Sequence, residues 1–243
     1  MEPNTSSKPE SKADDLINYD DAVSYWSSVP ATVNGVLGGF GETTPVPKAD
    51  VSGSMGFVRR LGPSLKIGEG RVKYGLDVGA GIGRVTRDFL SKVCDKVDLL
   101  EPVEPFVKEA HNQLAPLKQE GKIGEIFQLG IQDFEPEEDK YWLIWCQWCV
   151  GQVPDNILVE FLKKCQKSLQ KTGGMIVVKE NNSPVADDFD ETDSSVTRTD
   201  ESFRRIFKEA GLRLIMTALQ KGMPRGIYPV RMYALKPDIQ LQQ

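Results

Sequence analysis

Leu76-Asp77-Val78-Gly79-Ala80-Gly81-Ile82-Gly83-Arg84 is the stretch on which the fold turns. A short apolar strand runs into three glycines at alternate positions, and a helical pattern follows. Glycine has no Cβ and tolerates φ > 0, so such a turn lets backbone approach a ligand closely. The dinucleotide fingerprint would place a third glycine three positions after the second. Arg84, a bulky cation, stands there instead, and the third glycine comes early, at Gly83. The stretch from Lys96 to Glu101 reads as the next strand and ends in a carboxylate, Glu101, 18 residues beyond Gly83. An acid about 20 residues beyond a glycine turn is suited to ribose hydroxyls.

Outward from this turn, strands and helices alternate. Strands are predicted at 74–78, 97–101, 124–129, 142–147, 175–179, 213–219 and 228–235, and helices at 84–93, 103–117, 155–169 and 200–210. In the helix at 155–169, Ile157, Leu158, Phe161, Leu162, Cys165 and Leu169 form one stripe, the spacing of a helix packed on a sheet. The alternation predicts an α/β fold: a mostly parallel seven-stranded sheet with helices on both faces and an antiparallel edge from the terminal hairpin. Ahead of this core at 72–236 lies an N-terminal extension at 14–62. It is read as an amphipathic helix at 14–28, a glycine-rich lid loop at 36–41, an irregular connection at 42–54 and a helix at 55–61. Residues 1–13 are polar and read as a disordered tail, and 237–243 as a C-terminal tail, which leaves one domain at 14–236.

With 243 residues, 40% apolar and 27% charged, the composition is that of a soluble globule. There is no apolar run of the roughly 18–20 residues a membrane span needs, and the polar start lacks a signal-peptide core. A cytoplasmic location, extending to the nucleus, is the expectation. The four cysteines are then expected to be reduced. Cys146 and Cys149 form a C-x-x-C, but the one histidine, His111, leaves it without further zinc ligands at suitable spacing, and no metal is expected. A net charge of −5 argues against a nucleic-acid surface and suits a cationic partner.

In open parallel sheets, ligands bind at the carboxyl ends of the strands. That rule nominates the 79–84 turn, Glu101, the 130–133 segment, Gln147-Trp148 and Glu180-Asn181. The stretch 187–193 holds five acids in seven residues. Read alone, it is a solvated loop leading into the next helix, with acids favourable near a helix N-terminus; a ligand role is the other reading.

Several strings then read together: YW at 25–26, VNGVLGGFG at 33–41, DVGAGIGR at 77–84, GIQDF at 130–134, WCQWCVGQ at 145–152, KEN at 179–181 and DSSV at 193–196. The G-x-G-x-G turn resembles the first motif of class I S-adenosylmethionine (SAM) methyltransferases. Across about residues 20–236, the chain resembles the protein α-N-terminal methyltransferases, which modify the terminal amine of chains beginning X-Pro-Lys. The resemblance implies a Rossmann-like SAM methyltransferase fold and SAM as cofactor, with S-adenosylhomocysteine (SAH) as its product. It implies protein N-termini as partners, ribosomal proteins among them; the net charge and the lack of a long apolar run leave no nucleic acid and no membrane among the expected partners, and a monomer is the expectation, with the oligomeric state left open.

The resemblance also implies residue roles. Gly79, Gly81, Arg84 and Gln147 would hold SAM, with Arg84 at the methionine carboxylate. Glu101 would take the ribose hydroxyls, flanked by Pro102 and Val103; the family often has aspartate at this position. Ile131 and Gln132 would sit beside the adenine. Tyr25, Trp26, Leu37, Ile227 and Tyr228 would close over the peptide, and Trp148 would face its proline. Asp190 would pair with its lysine, Asn181 would bond its backbone, and Ser195 would also line the site. Asp193 would accept the amine proton. The family's histidine is replaced by Gln152, which can hydrogen-bond but is no base near pH 7. Two other readings share the fold: a small-molecule amine or carboxylate methyltransferase, and a non-catalytic SAM- or peptide-binding module.

Overall fold

The structure is a computed structural model and describes residues 12–41 and 43–238. Most of the predicted N-terminal tail, and the C-terminal tail from residue 239, lie outside these. The strands are β1 (Tyr74–Val78), β2 (Lys96–Leu100), β3 (Ile123–Phe127), β4 (Leu143–Gln147), β5 (Met175–Asn181), β6 (Asp188–Asp190), β7 (Ser195–Thr197), β8 (Leu212–Leu219) and β9 (Val230–Pro237). Seven of them form one sheet in the order β3-β2-β1-β4-β5-β9-β8. The first five are mutually parallel, and β9 pairs antiparallel with both β5 and β8. Strand order reverses at β1, where Val78 pairs with Leu100 of β2 and Cys146 of β4. That switch point opens a crevice above the carboxyl ends, and the glycine turn leaves β1 directly into it.

Both faces of the sheet are covered. On one, Leu158, Phe161, Leu162 and Cys165 of the Asp155–Ser168 helix pack with Val78, Ile144 and Val178, joined by Phe203 and Phe207 of the Asp200–Glu209 helix. On the other, Phe57 and Leu61 meet Phe89, Trp145 and Val177.

The extension departs from its prediction in ways that local chemistry explains. The 14–28 segment is divided into a 3-10 turn at Ala13–Leu16 and a helix at Tyr19–Ser28. Asn18 divides them, its side chain accepting from the amides of Asp20 (3.0 Å) and Asp21 (3.4 Å). The helix expected at 55–61 starts nine residues earlier, spanning Val46–Leu61. The prolines that suggested an irregular connection stand at its first turn, where a missing N–H costs nothing. The glycine-rich loop is preceded by a helical turn at Val33–Val36, capped by Thr32. In the core, the helix expected at 103–117 breaks at Leu114, because Pro116 has no N–H for the Asn112 carbonyl. The acidic stretch 187–193 is an element that neither reading foresaw: β6 and β7 form a hairpin with Asp193 at its turn. The last strand runs on through Pro237, one residue into the expected tail.

Candidate active site

The first cleft is built around the turn after β1. The amides of Gly79 and Ala80 donate to the Leu100 carbonyl at 2.9 and 3.1 Å, tying the turn to the end of β2. Gly79 has φ +63°, and a Cβ there would collide with that of Cys149. Glu101 is buried at the same strand end, where its oxygens accept from the amides of Gly81 (2.7 Å) and Val103 (2.9 Å). Burial pushes its carboxyl up to about 7, although those two amides favour the charged form. Pro102, Val103 and Ile131 supply apolar walls, and Tyr19, Ala22 and Trp26 of the Tyr19–Ser28 helix close the cleft from above.

Arg84 borders this cleft but is anchored behind it. Its Nη1 donates to Asp50 Oδ2 at 2.7 Å, and both residues are buried. The same carboxylate receives Gln147 Nε2 at 2.9 Å and forms an ion pair with Lys179, whose Nζ also donates to Ser54 Oγ at 3.0 Å. Burial alone would push Asp50 up, but Lys179 and Arg84 outweigh it and hold its carboxyl below the usual range. Trp145 completes the group, its indole N–H donating to Gln147 Oε1 at 2.9 Å.

A second cleft opens beside the first, lined by Leu37, Gly38, Asn181, Asp193, Ser195 and Ile227 among others. Trp26, Val36, Trp148 and Gln152 border both clefts. Trp148 follows β4 in a left-handed conformation, φ +53°, held by its own amide on the Lys179 carbonyl at 3.1 Å. Non-glycine residues in that region cost on the order of 1–3 kcal/mol and concentrate at functional sites. Its indole nitrogen is buried without a partner among the described residues.

Asp193 is held at the hairpin turn. Ser195 Oγ donates to its Oδ1 at 2.6 Å, and Gln152 Nε2 faces its Oδ2 at 3.5 Å. Burial, reinforced by the nearby charge of Asp190, raises its carboxyl above the usual range, against the Ser195 hydrogen bond. The Val150–Gln152 turn that carries Gln152 is clamped by the fully buried Arg198, which donates to the carbonyls of Val150 (2.8 Å) and Val153 (2.6 Å) and to Asp155 (2.7 Å). Ser194 Oγ accepts from the Asn18 amide at 2.8 Å, joining the hairpin to the extension.

Most sequence-nominated residues therefore border one of two connected clefts. Four do not. Tyr25 packs edge-on against Trp26, with ring centroids 5.2 Å apart. Gln132 points its side chain toward Tyr19. Asp190 is exposed and accepts the Thr192 amide at 2.8 Å within its own turn. Tyr228 donates to Asp188.

Sequence reasoning gave no role to Asp50, which sits in the stretch read as irregular, or to Lys179. A lysine that ends an apolar strand was the one available signal. Glu180 was nominated as a strand end only. It is buried beside the second cleft and accepts from the amides of Cys149 (3.1 Å) and Asn181 (3.0 Å), and burial pushes it up to about 7.

The donor set fits a nucleoside joined to an amino acid. An acid at a strand end suits hydroxyls, an apolar wall suits a base, and a cation suits a carboxylate.

Comparison with known proteins agrees. A family model described as AdoMet dependent proline di-methyltransferase matches residues 14–236. Alpha N-terminal protein methyltransferase 1 of Schizosaccharomyces pombe is 44% identical over 219 residues, covering 90% of this chain and 96% of that one. N-terminal Xaa-Pro-Lys N-methyltransferase 1 of Homo sapiens is 39% identical over 223 residues, covering 90% and 95%. The structure of a SAM-dependent methyltransferase from Leishmania major superposes with a TM-score of 0.81 at 38% identity, covering 90% of this chain and 82% of that one.

Proposed function

The chain belongs to the AdoMet-dependent proline di-methyltransferase family, and from that premise we propose that it methylates the α-amino group of proteins that begin X-Pro-Lys. The observation that carries the proposal is the junction of the two clefts. Trp26, Val36, Trp148 and Gln152 border both, so a group bound in the glycine-turn cleft meets one bound in the acidic cleft.

Glu101 would hold the ribose hydroxyls and Arg84 the carboxylate of the cofactor, which when bound supplies a methyl group on a positively charged sulfur. The remaining work falls to the protein. An α-amine has an unperturbed pKa of about 7.7–8.0, so at neutral pH most of it carries a proton and has no lone pair to offer. Asp193 would take that proton. Its raised pKa narrows the gap to the amine, and each unit of narrowing lowers the cost of transfer by about 1.4 kcal/mol. Gln152 donates toward the same carboxylate and would orient the acid or a water beside it. Asn181 would bond the peptide backbone, and Trp148 and Leu37 would enclose the proline. The Gly38-Gly39 loop, with φ of +56° and +89°, would exclude water. Ribosomal-protein termini as substrates rest on the sequence resemblance, and action as a monomer and a cytoplasmic or nuclear location are carried into the same proposal as expectations from the sequence.

The test is methyl transfer from labelled SAM to peptides beginning Ala-Pro-Lys or Pro-Pro-Lys, with N-acetylated copies as controls. Label on the α-nitrogen of the free peptides, and none on the acetylated ones, is expected. Label on acetylated peptide, or none on either despite SAH binding, would reject the proposal.

A further inference from the structure

Asp50 lies in the Val46–Leu61 helix, outside the sheet, yet its carboxylate is the meeting point of three groups from the core. Arg84 comes from the glycine turn, Gln147 from the end of β4 and Lys179 from the end of β5. All four residues are buried. Arg84 is 4% exposed, and it borders the first cleft while its Nη1 is held from behind. Lys179 has no exposure at all and borders neither cleft, so it acts only through its partners.

The charges in this cluster do not cancel. Two cations share one carboxylate, and no other acid takes an ion pair from Arg84 or Lys179 among the described residues; the other buried acid that feels Arg84, Asp77, is hydrogen-bonded by Thr86 Oγ1 at 2.6 Å instead, and burial pushes its carboxyl up to about 7. A buried cation without a full counter-charge is unfavourable and is relieved by an anionic partner. The side of Arg84 away from Asp50 faces a cleft that can admit one.

We propose that Asp50, braced by Lys179, is a positioning residue that aims Arg84 into the first cleft and leaves one surplus positive charge there for the carboxylate end of the cofactor. The inference rests on Arg84 meeting that carboxylate. It assigns the helix after the lid loop a part in cofactor recognition that it plays through Arg84. A fixed guanidinium loses less freedom on binding than a mobile one, which is how a residue that never touches the ligand can raise affinity.

Two ligands separate aim from mere stability. SAH carries the amino-acid carboxylate. 5′-Methylthioadenosine keeps the adenosine and sulfur but lacks that end. Their affinities are measured by calorimetry on the parent, Asp50→Asn and Lys179→Met, each checked for folding by its thermal transition. The parent should bind SAH more tightly than methylthioadenosine. Asp50→Asn should weaken SAH about tenfold or more, the scale of a charge-assisted hydrogen bond, and leave methylthioadenosine within about twofold. Lys179→Met cancels the surplus charge and should shrink the same SAH preference, which keeps the test decisive if Asp50→Asn does not fold. The inference is overturned if SAH affinity is unchanged or rises in Asp50→Asn, if both ligands weaken together, or if the parent does not distinguish them. Neither ligand needs a peptide, so a failure of peptide methylation would count against the proposed reaction alone.

Discussion

Replacing Asp193 by asparagine tests the proposed chemistry most sharply, because it keeps the shape and removes the base. Asparagine still offers an oxygen to Ser195 Oγ, which now donates at 2.6 Å. A positioned general base contributes about 10²–10⁴-fold, so kcat at pH 7 should fall by that factor. The loss should also depend on pH in a defined way. Of an amine with pKa near 8, about a tenth is neutral at pH 7 and about nine-tenths at pH 9. The variant can use only amine that arrives neutral, so its deficit against the parent should shrink about tenfold between those pH values. Stability moves the other way. Burial raises Asp193 in the fold, so holding it charged at pH 7 costs stability, and the asparagine variant should melt at the same temperature or higher. The assay is initial-rate methylation of a Pro-Pro-Lys peptide at pH 7 and 9, with SAH affinity as the control. A deficit of equal size at both pH values, with SAH binding intact, would show that Asp193 orients the amine and does not take its proton.

Glu101→Gln should weaken SAH about tenfold to a hundredfold, the worth of a charge-assisted bond to a hydroxyl; a change under about twofold would remove ribose from its role. Asp190→Asn keeps the turn that accepts the Thr192 amide, and an exposed charge pair is worth about 0.2–1 kcal/mol. Its KM should rise no more than about fivefold, and only for peptides with lysine at the third position; an equal rise for peptides with alanine there would refute the pairing. Asp77, Glu101 and Glu180 are each raised from ordinary values to about 7 by burial. Between the two values the folded state holds more protons than the unfolded, so stability falls as pH rises toward 7. The ligand-free protein should melt higher at pH 5 than at pH 7.5, and Glu180→Gln should flatten that slope; a melting temperature that climbs across the interval would contradict the burial argument.

The parallel core was legible because each of its signals is local. A short strand from Tyr74 to Val78 that runs into Gly79, or a stripe through Leu158, Phe161, Leu162 and Cys165, declares its element in its own spacing. The extension was not legible in the same way. Proline at the start of Val46–Leu61 is compatible with a helix or a break, and what decides is the burial of Phe57 and Leu61 against a sheet that a window of sequence does not contain. The hairpin at 188–197 was invisible for a related reason. Its alternation is carried by acids, and of its two buried residues, Ser194 and Val196, Ser194 is bonded to the Asn18 amide, 176 positions away.

The same division holds for the site. Gly79, Glu101 and Ile131 lie at strand ends, where topology alone brings them together. Asp50 and Lys179 are 129 positions apart, and each would be unfavourable to bury without the other. That mutual dependence is a pair property, and no reading of either residue's neighbours could reveal it. Its consequence is functional. Val46 borders the second cleft at the start of the helix on which Asp50 stands one turn later, and the lid loop leads into that helix. The elements proposed to cover the peptide are thereby fastened to Arg84 at the first cleft. One helix thus carries both Asp50, which holds Arg84 at the first cleft, and Val46, which borders the second, while Trp148 and Gln152 border both clefts directly.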